Sequence, residues 1–411
     1  MKNNRHLKFL ITCACLPFVA AWFTGCASSK RNNVGAPDGP PKTSIISVAQ
    51  ATNMGTARCQ HSATLLSDGR VLVVGGREWG TYGQPLDSVE IYDPKTGTFS
   101  PSGPLNSPRA DHQATLLPSG KVLITGGIAS NNIRAYWFEY WDPATNRMLG
   151  HGGAGSNRGG ATVFLRGDGK LQIIGGFSDY TMDALDSYQT LIFDMETGAT
   201  EPDFLITEPR INALVIPVDG ERFLLVGGEN GLGGWHQLDL CELYTVKPLP
   251  GQSNLLAKVP LGFPIVALDW VRLDADTFAL CGGQNQRRGD SRLAQIIKIQ
   301  GNNLSLTSLT LPRDLSKHQT ARLPDGRVLM IGGESFTGYA PTSERDTLQT
   351  LDSTKGTVTE LNAKLSQRRA QSRAVTLLDG NILVTGGYCY DVYASNSYLA
   401  TNSCDLLKVV Y

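Results

Sequence analysis

The chain carries no excess charge of either sign, its 37 lysines and arginines being matched by 37 aspartates and glutamates over 411 residues. A surface without a net field has no means of gathering a polyanion, which argues against a nucleic-acid partner. Histidine is scarce, at six residues, and the sequence holds no Tyr-His pair, P-loop, zinc-protease helix motif, sialidase-type Asp-box repeat or nucleophile motif. Linear motifs therefore assign no catalytic residue, no metal ligand and no cofactor. Long apolar runs are lacking too. The uncharged stretch from Phe9 to Trp22 is short for a spanning helix, follows Lys2, Arg5 and Lys8, and leads to Thr24-Gly25 ahead of Cys26. That is the pattern of an export signal.

The small residues ending in a cysteine resemble the lipobox of bacterial lipoproteins, with Phe23 where that motif usually has Leu. The resemblance implies a signal peptide over residues 1–25, acylation of Cys26, and a place in the bacterial cell envelope, at the periplasmic or surface face of the outer membrane. Contact with the membrane is then through the lipid anchor only. Residues 26–43 include Pro37, Asp38, Gly39, Pro40 and Pro41 and have almost nothing to bury, so they form a flexible tether.

What the sequence has in abundance is glycine, 45 residues in all. Pairs of glycines close short apolar runs at Gly75, Gly126, Gly175, Gly227, Gly282, Gly332 and Gly386. Recurrence at this spacing marks a repeat protein. The runs before the pairs (VLVV, VLIT, LQII, FLLV, FAL, VLMI, ILVT) read as strands buried on both faces. Most are entered through a hairpin turn such as Asp68-Gly69 or Asp379-Gly380, with Asp274-Ala275-Asp276 in its place in the fifth unit. Adding the strand before the turn and the hairpin after the pair gives four antiparallel strands per unit, a to d in chain order. One unit cannot cover its own apolar faces, and closing the units into a ring solves this.

The run Arg58-x-x-His61-Ser62-Ala63-Thr64-Leu65-Leu66, Asp68-Gly69-Arg70-Val71 to Gly76 resembles a kelch repeat of the type found in galactose-oxidase-like propellers. The resemblance implies an all-β, seven-bladed β-propeller over residues 44–411. The last unit stops after its third strand, while Ile45, Ile46 and Val48 precede the first unit with no strand of their own to pair with. The expectation is that this N-terminal strand completes blade seven.

In such a ring the a–b and c–d hairpins project from one face, the hairpin rim. The b–c loops and the crossovers between blades project from the other, the loop rim. Variable segments carry recognition, so the loop rim is the expected binding face. Trp79, Tyr82, Trp137, Tyr180, Trp235, Tyr339 and Tyr390 fall on it and suit a glycan or protein segment. Arg58, Arg109, Arg158 and Arg369 recur at one repeat position, with Arg210 close to it. They either grip a ligand's carboxylates or bond carbonyls of the crossovers. His61, His112 and His318, in step with the scaffold, read as structural.

Cys389 lies just past the last glycine pair and Cys404 at the start of the next strand, so a disulfide between them is expected, with Cys59 as the competing partner. Two functions stand open: a non-catalytic, envelope-anchored binding propeller, or a carbohydrate-active propeller enzyme, an oxidase like galactose oxidase or a lyase. The copper-radical site of the former takes tyrosine and histidine ligands and a cysteine joined to a tyrosine ring.

Overall fold

A computed structural model describes residues 44–410 except 79–82, 131–134, 136, 154–157, 179–187, 231–235, 264–265, 267, 286–288, 336–342 and 392–396. The turns set the pattern. In the first unit Asp68 accepts from the backbone N–H of Arg70 at 3.0 Å, and Gly69 sits at φ 89°, so the chain reverses between Ser62–Leu65 and Val71–Val74. The fifth unit makes the same reversal without a glycine, its Asp274 carboxylate accepting from Asp276 N–H at 2.9 Å.

Strand b then meets strand c, and c meets d, so that blade one is Ser62–Leu65, Val71–Val74, Val89–Asp93 and Thr98–Pro101 in hydrogen-bonded order. Five further four-stranded sheets repeat it. Blade seven has strands a to c from the C-terminus, Arg373–Thr376, Ile382–Thr385 and Cys404–Val410, and takes Ile45–Ala51 as strand d. The register runs from Ile45 against Val410 to Ala51 against Cys404, which is the closure expected from the unpartnered N-terminal strand.

Strand b is buried at every position in blades one, three, six and seven, because its two faces meet neighbouring blades. The cores accordingly lie between blades. Leu72, Val74 and Ile91 of blade one pack with Val122, Ile124 and Trp141 of blade two. At the closure, Val71, Val73 and Tyr92 meet Val375, Leu377 and Leu383 of blade seven. Ile46 is brought against Leu329, Ile331 and Leu407. Burial of a side chain of this size is worth roughly 1.5 to 3 kcal/mol, which favours the closed ring over an open sheet edge.

Both glycines of every pair have positive φ, and in the first blade each also makes a close approach. Gly75 and Gly76 have φ of 57° and 99°. A Cβ on Gly75 would stand 2.4 Å from the carbonyl oxygen of Arg109 in the next crossover, and one on Gly76 2.5 Å from that of Cys59 in its own. The pair is thus where blade and crossover lock, with Cys59 and Arg77 bridged on one side and Gly76 N–H donating to Arg109 O at 2.9 Å on the other.

The Cys389 to Cys404 disulfide does not form. The last b–c loop is itself a hairpin of Tyr388–Asp391 and Ser397–Ala400, so Cys389 stands opposite Leu399. Cys404 stands opposite Thr385, further down the blade. The two thiols are carried apart along the strands rather than brought face to face.

Candidate functional site

Each crossover enters the ring in the same way, and its successive positions have distinct tasks. The arginine position points inward. Arg58 donates through Nη1 to Gly75 O at 2.7 Å and through Nη2 to Glu90 Oε1 at 2.7 Å. Arg109 pairs with Glu139 at 2.5 Å, Arg210 with Glu242 at 2.5 Å and Arg369 with Asp405 at 2.9 Å, and each also donates to the carbonyl of its own blade's first paired glycine. All four side chains are fully buried. The expectation that Arg58, Arg109 and Arg369 bind a ligand is therefore corrected: they are scaffold ion pairs with no face toward solvent. Arg158 is corrected with them, since it is buried and donates to Gln189 O within its own blade.

The carboxylates that hold these arginines occupy one fixed place, opposite the third residue of the strand b core in the pairs Val73 with Glu90, Ile124 with Glu139, Leu225 with Glu242 and Val384 with Asp405. In blade six both partners change together: the crossover has Leu315 and strand c has Gln349 opposite Met330. Charge and counter-charge are exchanged as a unit for two neutral residues, as expected where an unpaired buried charge is costly.

Three residues beyond the arginine come the histidines, sealed between blades. His61 Nε2 lies 2.9 Å from Thr385 Oγ1 and His112 Nε2 2.8 Å from Ser62 Oγ. Burial pushes His112 and His318 down to about 3, and His61 well below its usual range, so all three are neutral.

Between these two positions the chain passes through the left-handed region, at φ 55° for Gln60, 53° for Asp111, 52° for Asn212 and 51° for Lys317 and Gln371. Gly160 serves in blade three, at φ 73°. Backbone bonds join these residues from blade to blade, Asp111 N–H to Gln60 O, Asn212 N–H to Gly160 O and Gln371 N–H to Lys317 O, each at 2.9 Å. They form a collar at the loop-rim mouth of the channel. The backbone is the same in every case while the side chain is amide, carboxylate, ammonium or nothing.

The charges of the collar act across the axis. The Asp111 carboxyl, though solvent-reached, is raised above its usual range by the walls that crowd it, against the pull of Arg373 from blade seven, Arg77 from blade one and Lys317 from blade six. Asp269, at the head of strand a in blade five, is raised by burial although it accepts from Thr320 N–H and Oγ. Lys317 lies 2.6 Å from Glu334 Oε1 as an ion pair. Glu334 Oε2 accepts from the Tyr388 hydroxyl at 2.7 Å, and burial beside that carboxylate holds the phenol far above its usual range.

Trp79, Tyr82, Tyr180, Trp235 and Tyr339 lie outside the described residues, as does Cys26. Trp137 opens strand c of blade two and Tyr390 lies in the last b–c hairpin. A cavity of about 550 Å³ is found instead on the hairpin rim, lined by Asp168, Asp219, Arg222 and Lys247. Its acids are already used by turn N–H groups and neighbouring cations, so it offers less free chemistry than the collar.

Seven four-stranded blades around a channel, closed by the N-terminal strand, make this chain a β-propeller. Its repeat is the kelch motif, whose family model matches residues 58–106. Galactose oxidase of Gibberella zeae is 33% identical over 93 residues, which is 22% of this chain and 14% of that protein. A second galactose oxidase of Gibberella zeae matches to the same extent. The match thus spans about a seventh of the length of those relatives. A fungal alcohol oxidase of the AA5 family, solved in complex with copper, superposes with a TM-score of 0.66 at 15% identity over 88% of this chain and 76% of its own. At that identity the likeness shows the fold alone.

The described residues do not fit a copper-radical centre. The imidazoles of His61 and His112 are turned into blade interfaces and that of His318 is buried. Burial pushes the Cys59 and Cys404 thiols up to about 12. Among the described residues no three His, Cys, Asp or Glu side chains are grouped where a metal ion would sit.

Proposed function

We propose that the protein is a carbohydrate-active propeller that receives a sugar at the loop-rim mouth of its channel. The collar carries the proposal: three amides (Gln60, Asn212 and Gln371), one carboxylate (Asp111) and one ammonium (Lys317) stand on one repeated left-handed backbone, Gln60 buried and the other four reached by solvent. Amides and a carboxylate suit the hydroxyls of a sugar, and a rigid backbone spares part of the entropy of ordering them. The sequence similarity to galactose oxidase supports the same substrate class and favours turnover over binding alone. The described residues support acid–base chemistry, with Asp111 and Asp269 as raised-pKa carboxyls near the mouth. In the same proposal Cys26 carries the lipid that tethers the propeller to the envelope.

Calorimetric titration of neutral and acidic oligosaccharides, with mass spectrometry of the products, tests the reading. Asp111→Ala with Asn212→Ala should lower affinity at least tenfold while leaving the melting temperature within a degree or two. Undiminished binding by that double variant, or no binding of any saccharide by the parent chain, refutes it.

A further inference from the structure

The first position of strand a, four residues past the arginine position, reaches toward the second residue of strand a in the next blade. In three blades it serves as an inter-blade clasp. Gln113 accepts from Val163 N–H at 3.3 Å and donates to Val163 O at 3.1 Å. Asp269 accepts from Thr320 N–H at 2.5 Å, and Gln319 accepts from Ala374 N–H at 3.4 Å. Each clasp requires an acceptor on the side chain. Blade seven has Arg373 here, and a guanidinium has five donors and no acceptor, so it cannot make this bond.

Among the described residues nothing else engages it fully. Arg373 is partly exposed, its hydrogen bond is a 3.4 Å contact from Nη1 to Ser372 O, and among the described residues no carboxylate lies within ion-pair distance of it. Its field nevertheless reaches Asp111, Asp269, His61 and His112, which places the charge over the channel mouth rather than out in solvent. The contrast with Arg58, Arg109 and Arg369, each fully buried on a carboxylate of its own blade, is chemical. Those three have an internal counter-charge, and among the described residues Arg373 has none.

Resting on the sugar-binding reading above, we propose that Arg373 is a specificity residue that receives the carboxylate of a uronic acid. The planar fork of a guanidinium fits a carboxylate through two parallel hydrogen bonds. Of the two nearby carboxyls, Asp269 is already engaged by Thr320. Asp111 is left to accept from the sugar's hydroxyls. Lys317, paired with Glu334, adds a second positive charge on the neighbouring crossover.

The test compares matched pairs, galactotriose against tri-galacturonate and cellotriose against its glucuronate counterpart, on the full chain and on Arg373→Gln and Arg373→Lys. The acidic member should bind at least tenfold more tightly than its neutral partner at low salt. Arg373→Gln should abolish that preference while leaving neutral-sugar affinity unchanged, and Arg373→Lys should keep part of it, at an unchanged melting temperature. Equal binding of acidic and neutral sugars, or a preference that survives Arg373→Gln, overturns the assignment and leaves the sugar site standing. If no sugar of either kind binds the parent chain, the sugar site itself is wrong and this assignment falls with it.

Discussion

Exchanging the buried pair Arg109 and Glu139 for the neutral pair that blade six uses is the sharpest test of the scaffold argument. Both side chains are fully buried, and Glu139 also accepts from Asn106 N–H at 2.7 Å and Asn106 Nδ2 at 2.9 Å. Glu139→Gln leaves a guanidinium without its counter-charge and should cost about 3 to 5 kcal/mol. Arg109→Leu leaves the carboxylate with only the Asn106 donors and should cost about 3 kcal/mol. The double variant recreates Leu315 with Gln349, loses chiefly the Arg109 bond to Gly126 O, and should cost about 1 to 2 kcal/mol. The singles are thus expected to sum to roughly 6 to 8 kcal/mol and the double to fall several kcal/mol short of that sum. Guanidinium unfolding of the chain from residue 44, followed by fluorescence and circular dichroism to check that the transitions coincide, measures all four corners of the cycle. Additive effects, or a double variant weaker than either single, would show that the two sites are merely structural neighbours and not a coupled unit.

Further expectations follow from other elements. Deleting residues 1–52 removes the strand Ile45–Ala51 and should lower the melting temperature sharply relative to deleting 1–43, and equal stability of the two would refute closure by that strand. His112 and His318 have folded pKa values lowered to about 3 from an ordinary 6.5, so below pH 6.5 the unfolded chain binds protons that the folded one refuses. Stability should then be fully present above that pH and be lost toward pH 3 at roughly 1.4 kcal/mol per histidine per pH unit, and His318→Leu should flatten the slope measured by denaturant midpoints. Gly76→Ala places a methyl against Cys59 O and should destabilise by several kcal/mol, whereas Gly97→Ala, with open space around it, should cost only about 1 kcal/mol for its positive φ. Cys26→Ser should release the protein from membranes or leave its signal uncut, and unchanged fractionation with an unchanged mature mass would count against the anchor.

The architecture could be read from the chain because its demands are on the backbone and recur. In blades one, six and seven the glycine pair at the end of strand b is required by two carbonyls that lie too close for any Cβ, and the positive φ of both glycines recurs in every blade. The missing strand of blade seven was legible for a similar reason, as a surplus strand at one end and a deficit at the other. The arginines were legible as a repeated position, but not their role, because their partners lie 30 to 36 residues further on. A signal for four of them did exist: strand c carries Val-Glu-Ile, Phe-Glu-Tyr, Cys-Glu-Leu and Cys-Asp-Leu, an acid in an apolar strand in the blades of Arg58, Arg109, Arg210 and Arg369, whereas the blade of Arg158 has Thr-Leu-Ile there. The collar residues gave no such sign, since what unites Gln60, Asp111, Asn212, Lys317 and Gln371 is a dihedral angle and not a side chain. The cysteine pairing failed because the b–c loop of blade seven forms its own hairpin, which moves Cys389 along the loop and away from Cys404.

The strand that closes the ring also decides how the fold bears load. Ser44 is fastened at the hairpin rim, its N–H to Asp325 at 2.8 Å and its carbonyl to Arg327 at 2.9 Å, and Ile45–Ala51 runs from there to the loop rim. Tension applied at Ser44 away from the hairpin rim acts along the axis of that strand, so the seven residue pairs from Ile45–Val410 to Ala51–Cys404 are sheared together. Tension across the blade would open the same seam one pair at a time, starting at Ile45, like a zip. The seam is consequently strong in one pulling direction and weak in the other, and the strong direction leaves the loop rim facing away from whatever pulls on Ser44.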